Sequence, residues 1–209
     1  MAALIAAIVV IATAVSPTID IALARQLTLS PDLTLRPVLS VVRQIFRVTP
    51  LAILVGVAFW LAAAAVRGSV ERAVAVRRGV FMAALFAVGP GLLVNAGLKT
   101  HAHRPRPIQT VEIAGGEMPF RPFYRFDGAC RTNCSFSSGE AASAFWTTAP
   151  ALLAPPALRV AAVGTALGFG ALVSAFRLIL GAHFLSDIAF SAFATILLTL
   201  AGRRLFRLP

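Results

Sequence analysis

The chain has 209 residues, of which 58% are hydrophobic and only 13% are charged, and its mean hydropathy is +0.85. An average soluble domain is roughly 45–50% apolar and about 25% charged, so this composition excludes intrinsic disorder, a collagen-like chain and a disulfide scaffold. Lys and Arg outnumber Asp and Glu by 19 to 8, for a formal net charge of +11. Because these basic residues stand between long apolar runs, the sequence predicts an integral membrane protein and excludes a nucleic-acid-binding module.

Six apolar segments are candidates for membrane-spanning helices, which need about 20 apolar residues each. In chain order they cover residues 2–15 (extendable to 23), 48–66, 79–98, 141–158, 160–176 and 184–201. The first segment could also be a signal peptide, since residues 12–14 are similar to a cleavage site. No basic residue precedes it, however, and a signal peptide starts with a basic region. We therefore expect an uncleaved first helix and an all-α bundle of six transmembrane helices.

An even number of helices puts both termini on one side of the membrane. Short segments on that side carry eight arginines, namely Arg67, Arg72, Arg77, Arg78, Arg159, Arg203, Arg204 and Arg207. The positive-inside rule makes this side cytoplasmic, with the long polar loop 99–137 on the other side. In residues 16–47, charged residues are interspersed with Ile, Leu and Val, which predicts a re-entrant or interfacial helix.

Three polar segments stand at the predicted outer ends of helices three to six. Their chemically informative residues are Lys99 and Arg106; Ser138, Gly139 and Glu140; and Arg177, His183 and Asp187. Basic side chains from separate segments that meet at one membrane face are typical of a binding site for an oxyanion with several oxygens.

These segments resemble, in the same order, the three signature blocks of the type 2 phosphatidic acid phosphatase superfamily: K-x6-R-P, P-S-G-H and S-R-x5-H-x3-D. The positions that match are Lys99, Arg106, Pro107, Ser138, Gly139, Arg177, His183 and Asp187. Three positions depart from the pattern: Ser137 replaces Pro, Glu140 replaces His, and Phe176 replaces Ser. The run Cys-Ser-Phe-Ser-Ser-Gly-Glu that ends at Glu140, and the stretch from Pro17 to Asp20, are similar to the lipid A phosphatase branch of this family.

The resemblance implies a single membrane-embedded phosphatase domain over residues 1–209, with its signature blocks within 99–187. The implied activity is hydrolysis of a lipid phosphate, with the 1-phosphate of lipid A as the preferred substrate. The implied location is the bacterial inner membrane, with the active site facing the periplasm. Hydrolysis of undecaprenyl pyrophosphate or phosphatidylglycerophosphate is the enzymatic alternative. Binding or transport of a lipid phosphate without hydrolysis is the non-enzymatic one.

The residues themselves support this chemistry. His183 and Asp187 are four apart, so on a helix the carboxylate can hold the imidazole N–H and leave the other nitrogen free to attack phosphorus. Arg177 and His183 converge only if the helix between them is broken, for which Gly181 is suited. Phosphate would be held by the helix start at Ser138 and Gly139 and by three cations, Lys99, Arg106 and Arg177. We expect neither metal nor other cofactor.

Glu140 has two interpretations that the sequence leaves open. Its carboxyl group could protonate the leaving lipid oxygen or activate the water that hydrolyses a phosphohistidine. Alternatively, Ser137 and Glu140 form a capping box at a helix start, a common pattern with no catalytic meaning.

The loop 99–137 also contains His101, His103, Cys130 and Cys134, which formally make a zinc tetrad, although their spacing is not that of a strong zinc motif. On an oxidising outer side, a Cys130–Cys134 disulfide is the preferred prediction. Three arginines of this region could contact substrate headgroups or face the lipid surface: Arg121, Arg125 and Arg131. Four aromatic residues predict an interfacial belt: Phe120, Phe123, Tyr124 and Phe126.

Overall fold

A computed structural model describes residues 1–29, 34, 36–64, 66 and 68–208 of the chain, and its regular elements in this part are helical. A π-helical segment, Ala87–Leu98, joins α4 to α5, and a short 3₁₀ helix covers Pro107–Gln109. The α-helices are α1 Ala2–Val15, α2 Thr18–Leu27, α3 Arg36–Ala64, α4 Ser69–Phe86, α5 Lys99–His101, α6 Val111–Ala114, α7 Gly139–Trp146, α8 Thr148–Leu152, α9 Pro156–Ile179 and α10 Leu185–Leu205.

Within the described residues, four helical segments are long and apolar enough to cross a membrane: Pro37–Ala64, Val70–His101, Pro156–Ile179 and Leu185–Leu205. The pair α1 and α2 makes a fifth if it is counted as one broken span, since the two helices meet at an angle of 107°. The all-helical membrane fold agrees with the sequence prediction, whereas the count of six spans is not confirmed.

The difference in number comes from the predicted helix 141–158. It is divided into α7 and α8 by a turn at Thr147, and α8 ends before Pro155 and Pro156. Residues 139–152, which comprise α7, Thr147 and α8, number 14 and would make about 21 Å of helix, shorter than a hydrocarbon core of about 30 Å. Most of α7 is buried, and Trp146 at its end donates a hydrogen bond to the Met82 carbonyl oxygen at 3.0 Å. This short helix is therefore an inner element surrounded by the spanning helices.

The described part of residues 16–47 belongs to two helices, whereas the sequence predicts one re-entrant or interfacial helix. The chain turns at Pro17 into α2, as a re-entrant arrangement requires, but α3 already begins at Arg36 instead of residue 48. Arg43 and Arg47 consequently belong to the first three turns of a long helix. Arg67, one of the predicted cytoplasmic residues, lies outside the described part of the chain.

The two ends of the described chain lie at the same end of the bundle. Met1 contributes to an apolar cleft with Leu152 and Leu200, and Leu208 packs into a core cluster that includes Ala149. This agrees with the prediction that both termini share one side. The opposite end of the bundle carries the polar loop that joins α5 to α7.

Candidate active site

A cavity of about 460 Å³ opens beside the polar loop and receives side chains from α3, the π-helical segment, α5, α7 and α9. Among its described lining residues, Glu140 is the one carboxylate, and the basic residues are Arg43, Arg47, Lys99, Arg106 and Arg177. The structure thus brings together the three cations predicted from the signature blocks. Gly139 and Glu140 also line the cavity, whereas Ser138, His183 and Asp187 are buried in the adjoining interior.

Arg106 is held in place by the loop that precedes α7. Its Nε donates to the Asn133 carbonyl oxygen at 2.9 Å, and its Nη2 donates to Asn133 Oδ1 at 2.7 Å. Burial, followed by the positive charge of Arg43, lowers the pKa of the Arg106 guanidinium. Concentrated positive charge of this kind is stabilised when an anion enters the cavity.

Arg177 reaches the site from the last turn of α9, as the sequence predicts. Its side chain is only 4% exposed, and its Nη1 lies 3.6 Å from Glu140 Oε2. The helix ends at Ile179, and Gly181 adopts φ +64°, a conformation that L side chains rarely adopt. The amide of Ala182 then donates to the Arg177 carbonyl oxygen at 3.0 Å. The predicted break at Gly181 is therefore present and folds the chain back from Arg177 toward His183.

His183 is 2% exposed, and its Nδ1 lies 2.8 Å from the Ser135 carbonyl oxygen and 3.6 Å from Asp187 Oδ2. A carbonyl oxygen can only accept, so Nδ1 carries the proton, and Nε2 keeps its lone pair. Burial lowers the pKa of His183 to about 4, although the Asp187 carboxylate acts in the opposite direction. At neutral pH the ring is therefore uncharged, which is the form that a nucleophilic histidine requires.

One detail of the predicted His183–Asp187 pair is wrong. The two residues do not share a helix face, because α10 begins only at Leu185 and His183 precedes it. Asp187 lies in the first turn, where its Oδ2 accepts hydrogen bonds from the Phe184 amide at 2.8 Å and from Ser135 Oγ at 2.5 Å. The carboxylate is completely buried and faces His183 from the helix start.

Glu140 does not form the capping box that the sequence left open. The N-cap of α7 is Ser138, whose Oγ accepts from the Ala141 amide at 3.3 Å, while the Ser138 amide donates to Ser191 Oγ at 3.0 Å. The carboxylate of Glu140 instead accepts hydrogen bonds from Arg43, whose Nε lies 3.0 Å from each carboxylate oxygen. Burial raises the pKa of Glu140, but the Arg43 hydrogen bonds and the Arg177 charge outweigh it and keep the pKa below its ordinary value.

Gly139 is required by close packing at the start of α7. A Cβ atom at this position would come within 2.5 Å of Asn95 Oδ1 on the π-helical segment. Asn95 is itself fixed, since its Nδ2 donates to the Pro90 carbonyl oxygen at 2.7 Å. The contact brings the π-helical segment, which leads to Lys99, against the helix that carries Glu140.

Cys130 and Cys134 form a disulfide, as predicted, and this excludes the zinc tetrad with His101 and His103. One residue inside the disulfide loop and one residue next to it contact the residues of the site. Asn133 holds Arg106, and Ser135 contacts both His183 and Asp187.

The aromatic residues of the loop divide into two groups, in contrast to the predicted belt. Phe120 packs against Phe184 with ring centroids 5.1 Å apart, and Phe123 stacks on Phe136 at 5.4 Å, so both support the site from inside. Tyr124 and Phe126 are exposed and remain candidates for the interfacial belt. Nearby, Arg125 donates to Asp127 at 3.0 Å, and Arg121 Nε lies 3.5 Å from the same carboxylate.

Four charged residues of the site region were missed or left without a role by the sequence analysis. Arg43 and Arg47 line the cavity, while Asp20 and Arg104 are buried beside Asp187. Arg104 stands two residues before the signature Arg106, and Asp20 interrupts an apolar segment. A charge inside an apolar run is costly and usually functional, and this signal could have drawn attention to Asp20.

The chain is similar to curated proteins named lipid A 4'-phosphatase. It is 48% identical over 101 residues to those of Rhizobium leguminosarum and Rhizobium etli, and 38% identical over 111 residues to that of Francisella tularensis subsp. novicida. The matches cover 48%, 48% and 53% of this chain and 43%, 39% and 50% of the relatives, so at most half of each relative is matched. No solved structure shows a significant similarity to the chain.

The sequence profile of the PAP2 superfamily matches residues 80–208. This range contains Lys99, Arg106, Arg177, His183 and Asp187, the residues that carry the resemblance. Since the match also extends over well more than half of the chain, the protein belongs to the PAP2 superfamily.

Proposed function

We propose that the protein is a metal-independent lipid phosphatase that hydrolyses a phosphate monoester of lipid A through a phosphohistidine intermediate. The observation that carries the proposal is a buried, uncharged His183 whose Nδ1 is held by Ser135, next to a cavity with five basic side chains. A neutral imidazole with a free Nε2 is a nucleophile, and clustered cations stabilise a transferring phosphoryl group. The names of the similar proteins support lipid A as the substrate.

In the proposed first step, Nε2 of His183 attacks phosphorus. The N–P bond forms while the P–O bond to the lipid breaks, and the bonding electrons leave with the lipid oxygen, which takes a proton from water in the cavity. Lys99, Arg106 and Arg177 neutralise charge on the phosphoryl oxygens. The amides of Ser138 and Ala141 already have partners, so the α7 amides left for the phosphate are those of Gly139 and Glu140.

In the second step, a water molecule attacks the phosphohistidine and Glu140 accepts its proton. The N–P bond breaks, its electrons return to Nε2, and phosphate leaves. The proton on Glu140 then neutralises the hydroxide left by the first step, so one water is consumed in each turnover. We assign Glu140 the role of base because its contacts with Arg43 and Arg177 favour the ionised carboxylate in the free protein.

We further propose that the 4'-phosphate, and not the 1-phosphate that the sequence resemblance favours, is the group removed. All three similar proteins reported above carry the 4' designation in their names. The whole chain, residues 1–209, would form one domain in the inner membrane with its cavity at the periplasmic face. This orientation is supported by the arginines at the opposite end of the bundle and by the disulfide, which requires an oxidising compartment.

The test uses the full chain purified in detergent and lipid A phosphorylated at both positions. Mass spectrometry of the product identifies which phosphate is lost, and we expect the 4'-phosphate to be released by the wild type and not by His183→Ala. Undecaprenyl pyrophosphate and phosphatidylglycerophosphate are assayed in parallel. Equal release by both proteins would refute the His183 mechanism, and comparable rates on all three lipids would refute the preference for lipid A. Tight binding of lipid A without release would favour the non-enzymatic alternative.

A further inference from the structure

A buried ion cluster connects α2 to the start of α10. It consists of Asp20, Arg104, Ser186 and Asp187, each at most 1% exposed. Arg104 lies at its centre: Nη1 donates to Asp187 Oδ1 and, at 2.8 Å, to Ser186 Oγ, and Nη2 donates to Asp20 Oδ2 at 2.8 Å. The guanidinium therefore bridges two carboxylates from distant parts of the chain.

The rest of the cluster is closed by further hydrogen bonds. Asp20 Oδ1 accepts from the Ser186 amide at 3.0 Å, and Asp20 Oδ2 accepts from Ser186 Oγ at 2.5 Å. Arg104 Nε donates to the Arg121 carbonyl oxygen at 2.8 Å, and its guanidinium carbon lies 4.2 Å from the Phe184 ring centroid. These contacts engage every nitrogen of the Arg104 guanidinium and both carboxylate oxygens of Asp20, as a positioning element requires.

The charges of the cluster do not balance. Two carboxylates face one guanidinium, and His183 next to them is neutral, so the cluster by itself carries a net charge of −1. The positive charges that act on it from the cavity side are those of Arg106 and Arg177. Burying unbalanced charge is expensive, and a pair formed by Arg104 and Asp187 alone would avoid the expense. The second carboxylate, Asp20, therefore needs an explanation beyond stability.

We propose that Asp20 is a positioning residue that prevents Arg104 from neutralising Asp187. This inference rests on the proposed phosphohistidine step: when Nε2 of His183 bonds to phosphorus while Nδ1 keeps its proton, the ring becomes positively charged. With Asp20 in place, the cluster and the charged ring sum to zero. Without it, Arg104 and Asp187 cancel each other, and the positive ring forms next to a neutral pair. The effect belongs to the chemical step and not to the binding of the lipid.

Asp20 also lies outside the part of the chain that the PAP2 profile covers, which begins at residue 80. The α1–α2 segment thereby contributes a charge to the site although it contains none of the signature residues. Its position next to Arg104 depends on the bend at Pro17, which directs α2 toward the start of α10.

The test compares Asp20→Asn with the double variant Asp20→Asn/Arg104→Gln, in the full chain. The single variant makes the cluster neutral, and we expect kcat to fall by roughly 10- to 100-fold while KM changes by less than about twofold. The double variant restores the charge of −1 on Asp187, and we expect it to regain at least about tenfold in kcat. A role limited to stability predicts the opposite, namely a double variant as slow as the single one or slower. That result, or an unchanged kcat in Asp20→Asn, would overturn the proposal.

Melting temperatures in detergent verify that the variants are folded. If Asp20→Asn does not fold, Ser186→Ala is measured, since it removes hydrogen bonds in the cluster but keeps all three charges. A kcat loss below about tenfold agrees with the charge argument, and a larger loss contradicts it. All variants are assayed with lipid A and with p-nitrophenyl phosphate. If the wild type hydrolyses p-nitrophenyl phosphate but not lipid A, lipid A is refuted as the substrate. The kcat values of the Asp20 variants on p-nitrophenyl phosphate would still test the role of Asp20.

Discussion

At the scale of single residues, the site depends on two side chains, of which one is held uncharged and the other ionised. His183 is neutral because it is buried and its Nδ1 is engaged by a carbonyl oxygen, whereas Glu140 is ionised because Arg43 and Arg177 contact it. In the proposed mechanism, His183 attacks phosphorus and Glu140 accepts a proton from water. These states set the expected behaviour of variants and the expected dependence on pH.

Glu140→Gln preserves the shape of the side chain but removes its ability to accept a proton. We expect hydrolysis of the phosphohistidine to slow by about 10²- to 10⁴-fold, the usual contribution of a general base, while its formation is less affected. Acid quenching and mass spectrometry of the protein would then detect a phosphorylated His183. An overall rate within about threefold of the wild type, with no accumulated phosphoprotein, would contradict the base role.

The pH dependence of kcat/KM follows from the pKa of His183 in the free protein, which burial lowers to about 4. The protonated ring cannot attack, so activity should be lost only as the pH falls through that value. An ordinary histidine, with a pKa near 6.5, would already lose most of its activity at pH 5. We therefore expect the His183 contribution to kcat/KM at pH 5 to stay within about twofold of its value at pH 7. A half-maximal rate near pH 6.5 would show that the ring is not shielded as described.

At the scale of elements, α3 gives the cavity a second row of positive charge. Arg43 and Arg47 are four residues apart, hence on one face of the helix, and both line the cavity that receives the signature cations. Arg43 is paired with Glu140, while Arg47 is exposed and lies one turn before the apolar lining residues Pro50 and Leu51. With lipid A as the proposed substrate, we expect Arg47 to lie where the headgroup meets the acyl chains.

Arg47→Gln tests whether this row recognises the headgroup. We expect KM for lipid A to rise by roughly 5- to 20-fold, the loss of one charged hydrogen bond, with p-nitrophenyl phosphate unaffected. Arg125→Gln removes the same charge from an exposed side chain whose partner is Asp127, and it should leave both substrates unchanged. If the two variants change the KM for lipid A equally, Arg47 acts only through the net positive charge of the protein and not through contact with the headgroup.

The loop closed by Cys130 and Cys134 supports the site from the polar side. Removing the disulfide should lower the free energy of unfolding by about 2–4 kcal/mol and loosen the contacts of Asn133 and Ser135 with Arg106 and His183. We expect Cys130→Ser/Cys134→Ser to have a lower melting temperature and a kcat/KM reduced by about tenfold or more. Reductant should reproduce the effect in the wild type and do nothing further to the variant. If the double variant keeps both the melting temperature and the kcat/KM of the wild type, the disulfide loop does not contribute to catalysis.

At the scale of the whole molecule, the chain is asymmetric along the bundle axis. The cavity and the disulfide are at one end, and both ends of the described chain, with most of the remaining arginines, are at the other. For this arrangement the positive-inside rule predicts the orientation proposed above, with the cavity on the outer side of the membrane.

The orientation can be measured with reporter fusions. Green fluorescent protein attached at the C-terminus should fluoresce, because it would remain in the cytoplasm. Alkaline phosphatase fused after Gly116, within the polar loop, should be active, because it would be exported and oxidised. The reverse pattern would show the opposite orientation in the membrane and would refute a periplasmic active site.

The sequence revealed the parts of the site that are encoded locally. Lys99, Arg106 and Arg177 could be found because their spacing within short segments identifies them, and the structure gathers them around one cavity. Arg43 could not be found in this way, since its partner Glu140 is 97 residues away and the contact depends on how α3 packs on α7.

The bounds of the helices also depend on tertiary packing. Hydropathy predicts a membrane-spanning helix over residues 141–158, but it does not distinguish a helix buried among other helices from one that faces lipid. The turn at Thr147 and the helix end before Pro155 make α7 and α8 too short to cross. The partner of Asp20 could also be found only from the tertiary structure, because Arg104 lies 84 residues further along the chain.

The contact between Asp20 and Arg104 has a consequence for protein engineering. A chimaera that exchanges residues 80–208 between two relatives would transfer Arg104 and Asp187 with every signature residue, yet it would leave behind the carboxylate that shares the guanidinium. On the proposed role of Asp20, such hybrids should lose roughly 10- to 100-fold in kcat unless the recipient supplies an acidic side chain at the bend between its first two helices. The smallest unit that transfers full activity would then begin at the N-terminal helices, well ahead of the recognisable domain.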